Sequence, residues 1–145
     1  MKQFKVWLNA ARLRTLPLSV SGILVGNALC LQHPDFSEIL FVLMLLTAIS
    51  FQIISNFAND YGDGIKGTDN EDRVGPTRVL QQGLLSRKAL KKGIIITSII
   101  ALVLAFNLIF LAFGLQSRLY ASVFLCISFV SVWAAISYTV GDKAY

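Results

Sequence analysis

The sequence predicts an all-α integral membrane protein with four transmembrane helices. Three observations carry that reading. Hydrophobic residues make up 55% of the 145-residue chain and charged residues only 14%, against about a quarter charged in a soluble domain. Four stretches, 15–32, 39–59, 93–117 and 119–141, contain no Asp, Glu, Lys, Arg or His. Each is close to or above the roughly 20 residues that a helix needs to cross a ~30 Å hydrocarbon core. The basic residues lie before, between and after these stretches rather than along them. Four buried helices of a soluble bundle would instead keep a polar stripe.

The first span is expected over about 15–33. It follows Lys2, Lys5, Arg12 and Arg14, a basic lead that also precedes secretory signals. It lacks a clear small-x-small cleavage site before a soluble domain, and three more apolar stretches follow, so this is read as a retained helix. The second span is expected over about 39–59, the third over 93–115 and the fourth over 119–140, with a polar loop over 60–92. Ser86 is placed to cap the third helix. Arg87, Lys88, Lys91 and Lys92 crowd its first turns, where the helix dipole disfavours cations; anionic headgroups or an anionic substrate would offset that cost. Cys30 and Cys126 sit inside apolar spans with no C-x-x-C pattern and are expected to pack as small apolar residues.

Charge placement sets orientation. Seven Lys and Arg residues lie between the second and third spans, whereas the turn 33–38 has none and carries Asp35 and Glu38. By the positive-inside rule both termini and the 60–92 loop are cytoplasmic. The net charge of +5 is thereby a topology signal; nucleic acid is not an expected partner, and the lipid bilayer is.

Five of the eight acids fall between Asp60 and Asp72. Asn56, Asp60 and Asp63 are spaced i, i+4, i+7, which puts them on one helical face within roughly 60° of arc. Two carboxylates on one face repel unless a cation sits between them. Mg²⁺ takes one or two protein carboxylates and completes its shell with water and phosphate oxygens. Gly62, Gly64 and Gly67 are expected to loosen the backbone beyond the helix. Lys66, Arg73 and Arg78 bring cations to the same segment. Carboxylates for a metal beside Lys and Arg for phosphate oxygens is the combination a diphosphate needs. Lys66 is followed by Gly67, so the P-loop pattern fails. The spacing of Asp60 and Asp63 does not fit an EF-hand.

At these residues the chain resembles the UbiA superfamily of membrane prenyltransferases. Asn56, Asp60 and Asp63 match an N-x-x-x-D-x-x-D form of its first aspartate motif. Ala11-Arg-Leu-Arg-Thr-Leu-Pro17, Asn59-Asp-Tyr-Gly-Asp-Gly-Ile-Lys-Gly-Thr-Asp69, Gly75-Pro-Thr-Arg78 and Tyr138-Thr-Val-Gly are similar to the menaquinone branch. The resemblance implies transfer of a polyprenyl group from polyprenyl diphosphate to 1,4-dihydroxy-2-naphthoate in the cell inner membrane. It implies Mg²⁺ as cofactor, held by Asn56, Asp60, Asp63 and Asp69. Asp60, Asp63, Lys66 and Arg78 would be catalytic. Asn56, Lys66, Arg78, Arg14 and Tyr138 would contact substrate. Related enzymes use other acceptors, such as 4-hydroxybenzoate, and an ion-translocating protein is the alternative from another class. Family members have about nine transmembrane helices and a second aspartate motif. Four spans therefore resemble the first half of such a bundle, with the rest expected from a C-terminal half or a partner chain and no activity expected from these residues alone.

Overall fold

The computed structural model describes residues 3–66, 78–114 and 117–140. Helix α1 is Gln3–Ala11, and a 3-10 turn at Leu13–Thr15 leads into α2, Leu16–Cys30. Three long helices follow: α3 (Glu38–Lys66), α4 (Arg87–Phe113) and α5 (Arg118–Ser137). Among the described residues there is no strand. Gln3–Cys30, α3, α4 and α5 are each long and apolar enough to cross a membrane. The chain is a multi-pass membrane protein.

The first crossing is broken. Arg12 takes φ 51° and ψ 61°, a left-handed conformation that side chains with a Cβ rarely adopt. Pro17, in the first turn of α2, costs no hydrogen bond there. With 15 residues, α2 is about 22 Å long, shorter than the ~30 Å hydrocarbon core. Helix α1 extends the crossing with an amphipathic segment. Val6, Ala10 and Ala11 are buried, while Phe4, Lys5 and Asn9 are exposed.

Helix α3 does not stop at Asn59. It continues through Asp60 and Asp63 to Lys66. The expected loosening by glycine is corrected here. Gly62 and Gly64 lie inside the helix, and their missing side chains admit neighbours. A Cβ on Gly62 would overlap the Thr139 carbonyl just past α5, and one on Gly64 would overlap the Leu80 side chain. Glu38 in the first turn and Lys66 in the last both complement the helix dipole.

Ser86 caps α4 as expected, its side-chain oxygen accepting from the Ala89 N–H at 3.1 Å. The basic start of α4 also has a structural partner, because Arg87 donates to the Gly64 carbonyl in the last turn of α3 at 3.4 Å. That contact offsets the unfavourable position of one cation. At the far end, Gly114 closes the helix with φ 58°.

The buried core lies at one end of the bundle. Val6, Ala10 and Ala11 of α1 meet Phe57 of α3, Leu90 and Ile94 of α4, and Val79 and Leu85 of the connecting segment. Trp7 fits over Gly93, 2.7 Å from where a Cβ would stand. Its ring meets Phe57 edge to face with centroids 5.5 Å apart, a favoured aromatic geometry. Further along α4, Ala101 and Ala105 are buried. Small residues one turn apart let membrane helices approach closely. Helices α2 and α5 bury none of their described residues, and side chains such as Leu29 and Trp133 face outward, as lipid contact requires.

Candidate functional site

The core end of the bundle is also where the polar side chains gather. Asp60 is 1% exposed, among the most buried large side chains of the chain. A carboxylate at that depth is costly unless cations or donors surround it. Asp63 follows three residues later on the same face. Its carboxylate accepts from the Arg78 guanidinium. Arg78 also donates to the Asn59 carbonyl. One guanidinium thus joins the segment after residue 77 to two successive turns of α3. The side chains of this ion pair are only 9% and 21% exposed, so removing one partner strands a partly desolvated charge.

Asn56 sits one turn earlier and is 3% exposed. Its amide nitrogen donates to the Ala11 carbonyl at 2.8 Å and to the Thr15 hydroxyl at 2.9 Å. Gln52 donates to its side-chain oxygen at 3.4 Å. Asn56 therefore lies on the expected face, with its amide engaged by the α1–α2 break.

The other expected residues are more dispersed. Lys66 ends α3 and is exposed. Arg14 is exposed in the 3-10 turn, close in sequence to the Thr15 that Asn56 holds. Tyr138 is 61% exposed beyond the end of α5. Asp69 lies outside the described residues.

Two residues join the site that sequence reasoning passed over. The Asn59 side-chain oxygen is buried without a hydrogen-bond partner among the described residues, as is the Thr139 hydroxyl. Asn59 stands four residues before Asp63, the spacing that puts two side chains on one helical face, so its signal was present. Thr139 reaches α3 through the close approach at Gly62, and no spacing rule reveals that.

The donors along this face of α3 are oxygen: the Asn59 amide oxygen and the carboxylates of Asp60 and Asp63. Among the described residues no group of three His, Cys, Asp or Glu side chains gathers. Two carboxylates and a neutral oxygen suit a hard divalent cation that keeps waters and shares phosphate oxygens, rather than one enclosed by protein. The buried, unpartnered oxygen of Asn59 fits that donor set.

Known proteins resemble this chain over nearly its whole length. The UbiA prenyltransferase family model matches residues 19–144. A 1,4-dihydroxy-2-naphthoate octaprenyltransferase of Haemophilus influenzae is 42% identical over 146 residues, covering 99% of this chain and 47% of that protein. The enzyme of the same name from Escherichia coli is 39% identical over 141 residues, covering 97% of this chain and 45% of that protein. One from Mycobacterium tuberculosis is 33% identical over 147 residues, covering the whole chain and 47% of that protein. The chain thus spans about half the length of these relatives. No solved structure shows significant similarity to it. The family match begins within α2, runs past the end of α5 and takes in α3 and Arg78, which carry the ion pair of the polar site, so the chain belongs to the UbiA prenyltransferase family.

Proposed function

We propose that this chain supplies the diphosphate-binding carboxylate site of a membrane prenyltransferase that joins a polyprenyl group to 1,4-dihydroxy-2-naphthoate. The buried Asp60, one turn from an Asp63 paired with Arg78, carries this reading. The named activity of the relatives supports the choice of substrates.

In this reaction the allylic C–O bond of polyprenyl diphosphate breaks and diphosphate departs with the bonding electrons. The naphthoate ring carbon that bears the carboxylate forms the new C–C bond. Carbon dioxide leaves from that carbon, giving the reduced form of demethylmenaquinone. Asp60, Asp63 and the Asn59 amide oxygen would hold Mg²⁺, with Asp69 as a further carboxylate. When bound, Mg²⁺ neutralises charge on the diphosphate. Arg78 orients the Asp63 carboxylate and places a second positive charge beside the leaving group. Lys66, at the exposed end of α3, reaches phosphate oxygens from the aqueous side. Arg14 and Tyr138 flank the site and contact substrate. Asn56 works through the backbone that it holds rather than as a ligand. The site sits on the cytoplasmic side of the inner membrane with both termini cytoplasmic, as the basic 78–92 segment suggests. There a diphosphate stays in water while its isoprenoid tail remains in lipid.

The test is prenyl transfer from labelled polyprenyl diphosphate in membranes containing the protein. Asp60→Asn and Asp63→Asn should each lower the rate by about 10²–10³, the usual effect of removing one charge-stabilising group. Unchanged rates would refute the site. Transfer to 4-hydroxybenzoate but not to the naphthoate would refute the acceptor.

A further inference from the structure

The left-handed break at Arg12 is held from the site helix itself. The Ala11 carbonyl is one of the C-terminal groups of α1 that the helix cannot satisfy, and Asn56 of α3 satisfies it at 2.8 Å. The second N–H of the same amide bonds the Thr15 hydroxyl at 2.9 Å. Thr15 passes the chain on, its hydroxyl donating to the Arg12 carbonyl at 2.9 Å and its backbone N–H to that same carbonyl at 2.8 Å. One buried amide thus fixes both sides of the turn, and such linked bonds reinforce one another. Both amide hydrogens of Asn56 are committed there, and Gln52 sets which way the amide faces.

The turn so fixed carries two guanidinium groups, Arg12 and Arg14, on either side of Leu13. Asn56 precedes Asp60 by four residues, about 6 Å along α3. The clamp therefore ties a doubly cationic stretch of the first crossing to the helix that bears the carboxylates, within one turn of them.

We propose that Asn56 and Thr15 are positioning residues for anion binding. Their hydrogen bonds hold the broken helix so that the backbone bearing Arg12 and Arg14 stays beside the Asp60–Asp63 face, making diphosphate recognition a property of two crossings. This rests on the diphosphate reading above. It differs from a ligand role for Asn56 in what it demands of the side chain. A ligand needs the amide oxygen, whereas a clamp needs the two N–H donors and the Thr15 hydroxyl.

The experiment is calorimetric titration of the protein, in phosphatidylcholine nanodiscs with Mg²⁺, by inorganic pyrophosphate. Asn56→Asp, which keeps the oxygen and loses the donors, should weaken binding about tenfold, the scale of one or two lost buried hydrogen bonds. Thr15→Val should do the same, Thr15→Ser should bind like the unsubstituted protein, and the double variant should be no weaker than either single one. The Mg²⁺ concentration for half-maximal binding should not move, and helix content should be unchanged in every variant. The clamp is overturned if Asp60→Asn abolishes binding while Thr15→Val leaves it intact, or if Asn56→Asp tightens Mg²⁺. Binding that is indifferent to Asp60→Asn would instead overturn the diphosphate reading.

Discussion

At the residue scale, the proposed site is one face of α3 with a borrowed guanidinium. Arg78 bridges the Asp63 carboxylate and the Asn59 carbonyl, a task for a planar fork with several donors. Lysine presents one compact charge and cannot span both acceptors. Arg78→Lys should therefore keep the charge and still lower prenyl transfer by about tenfold, the cost of roughly one charge-assisted hydrogen bond. A steady-state comparison of the two proteins would check this. Asn59→Ala should raise the Mg²⁺ requirement, because it removes a buried neutral oxygen and leaves both carboxylates; a Mg²⁺ titration of the rate measures that directly. That Asp60, Asp63 and Arg78 gather at one end of the bundle was legible in the sequence, because charge beside a long apolar run is costly and tends to be paired. The clamp role proposed for Asn56 was not. Its spacing to Asp60 and Asp63 is that of a ligand, and only its contacts with Ala11 and Thr15, more than forty residues away, set it apart.

At the scale of elements, close helix approach depends on missing side chains. Gly62 admits the Thr139 carbonyl, and Gly93 admits the Trp7 ring. Gly62→Ala should be the more damaging substitution, since its neighbour is backbone. A loss of about 1–3 kcal/mol is expected from such overpacking, read as a lower unfolding temperature in detergent. Ser86→Ala removes the cap that accepts from Ala89 and should cost about 1 kcal/mol without touching the site. The positions of the spans followed from uncharged stretches such as 39–59 and 93–117. Two boundaries did not. The left-handed break at Arg12 has no sequence signal apart from Pro17 after it, and glycines at 62 and 64 read as a loop until Thr139 and Leu80 are seen against them.

At the scale of the whole molecule, the polar site and the hydrophobic core share one end of the bundle. The remaining helix surface is apolar and faces outward. This polarity fits the proposed substrate, which has a charged head and a lipid-soluble tail. Topology is testable with single cysteines in a background where Cys30 and Cys126 are replaced by serine. Lys88→Cys should react with a membrane-impermeant maleimide only from the cytoplasmic side, and Asp35→Cys only from the opposite side. The reverse pattern would contradict the positive-inside assignment.

The central claim is that Asp60 and Asp63 together hold a divalent cation that engages diphosphate. The most direct measurement is electron paramagnetic resonance of Mn²⁺, in place of Mg²⁺, bound to the reconstituted protein with inorganic pyrophosphate. The account predicts a bound-Mn²⁺ signal that pyrophosphate strengthens and that either Asp60→Asn or Asp63→Asn removes. A signal unchanged by both substitutions would contradict it.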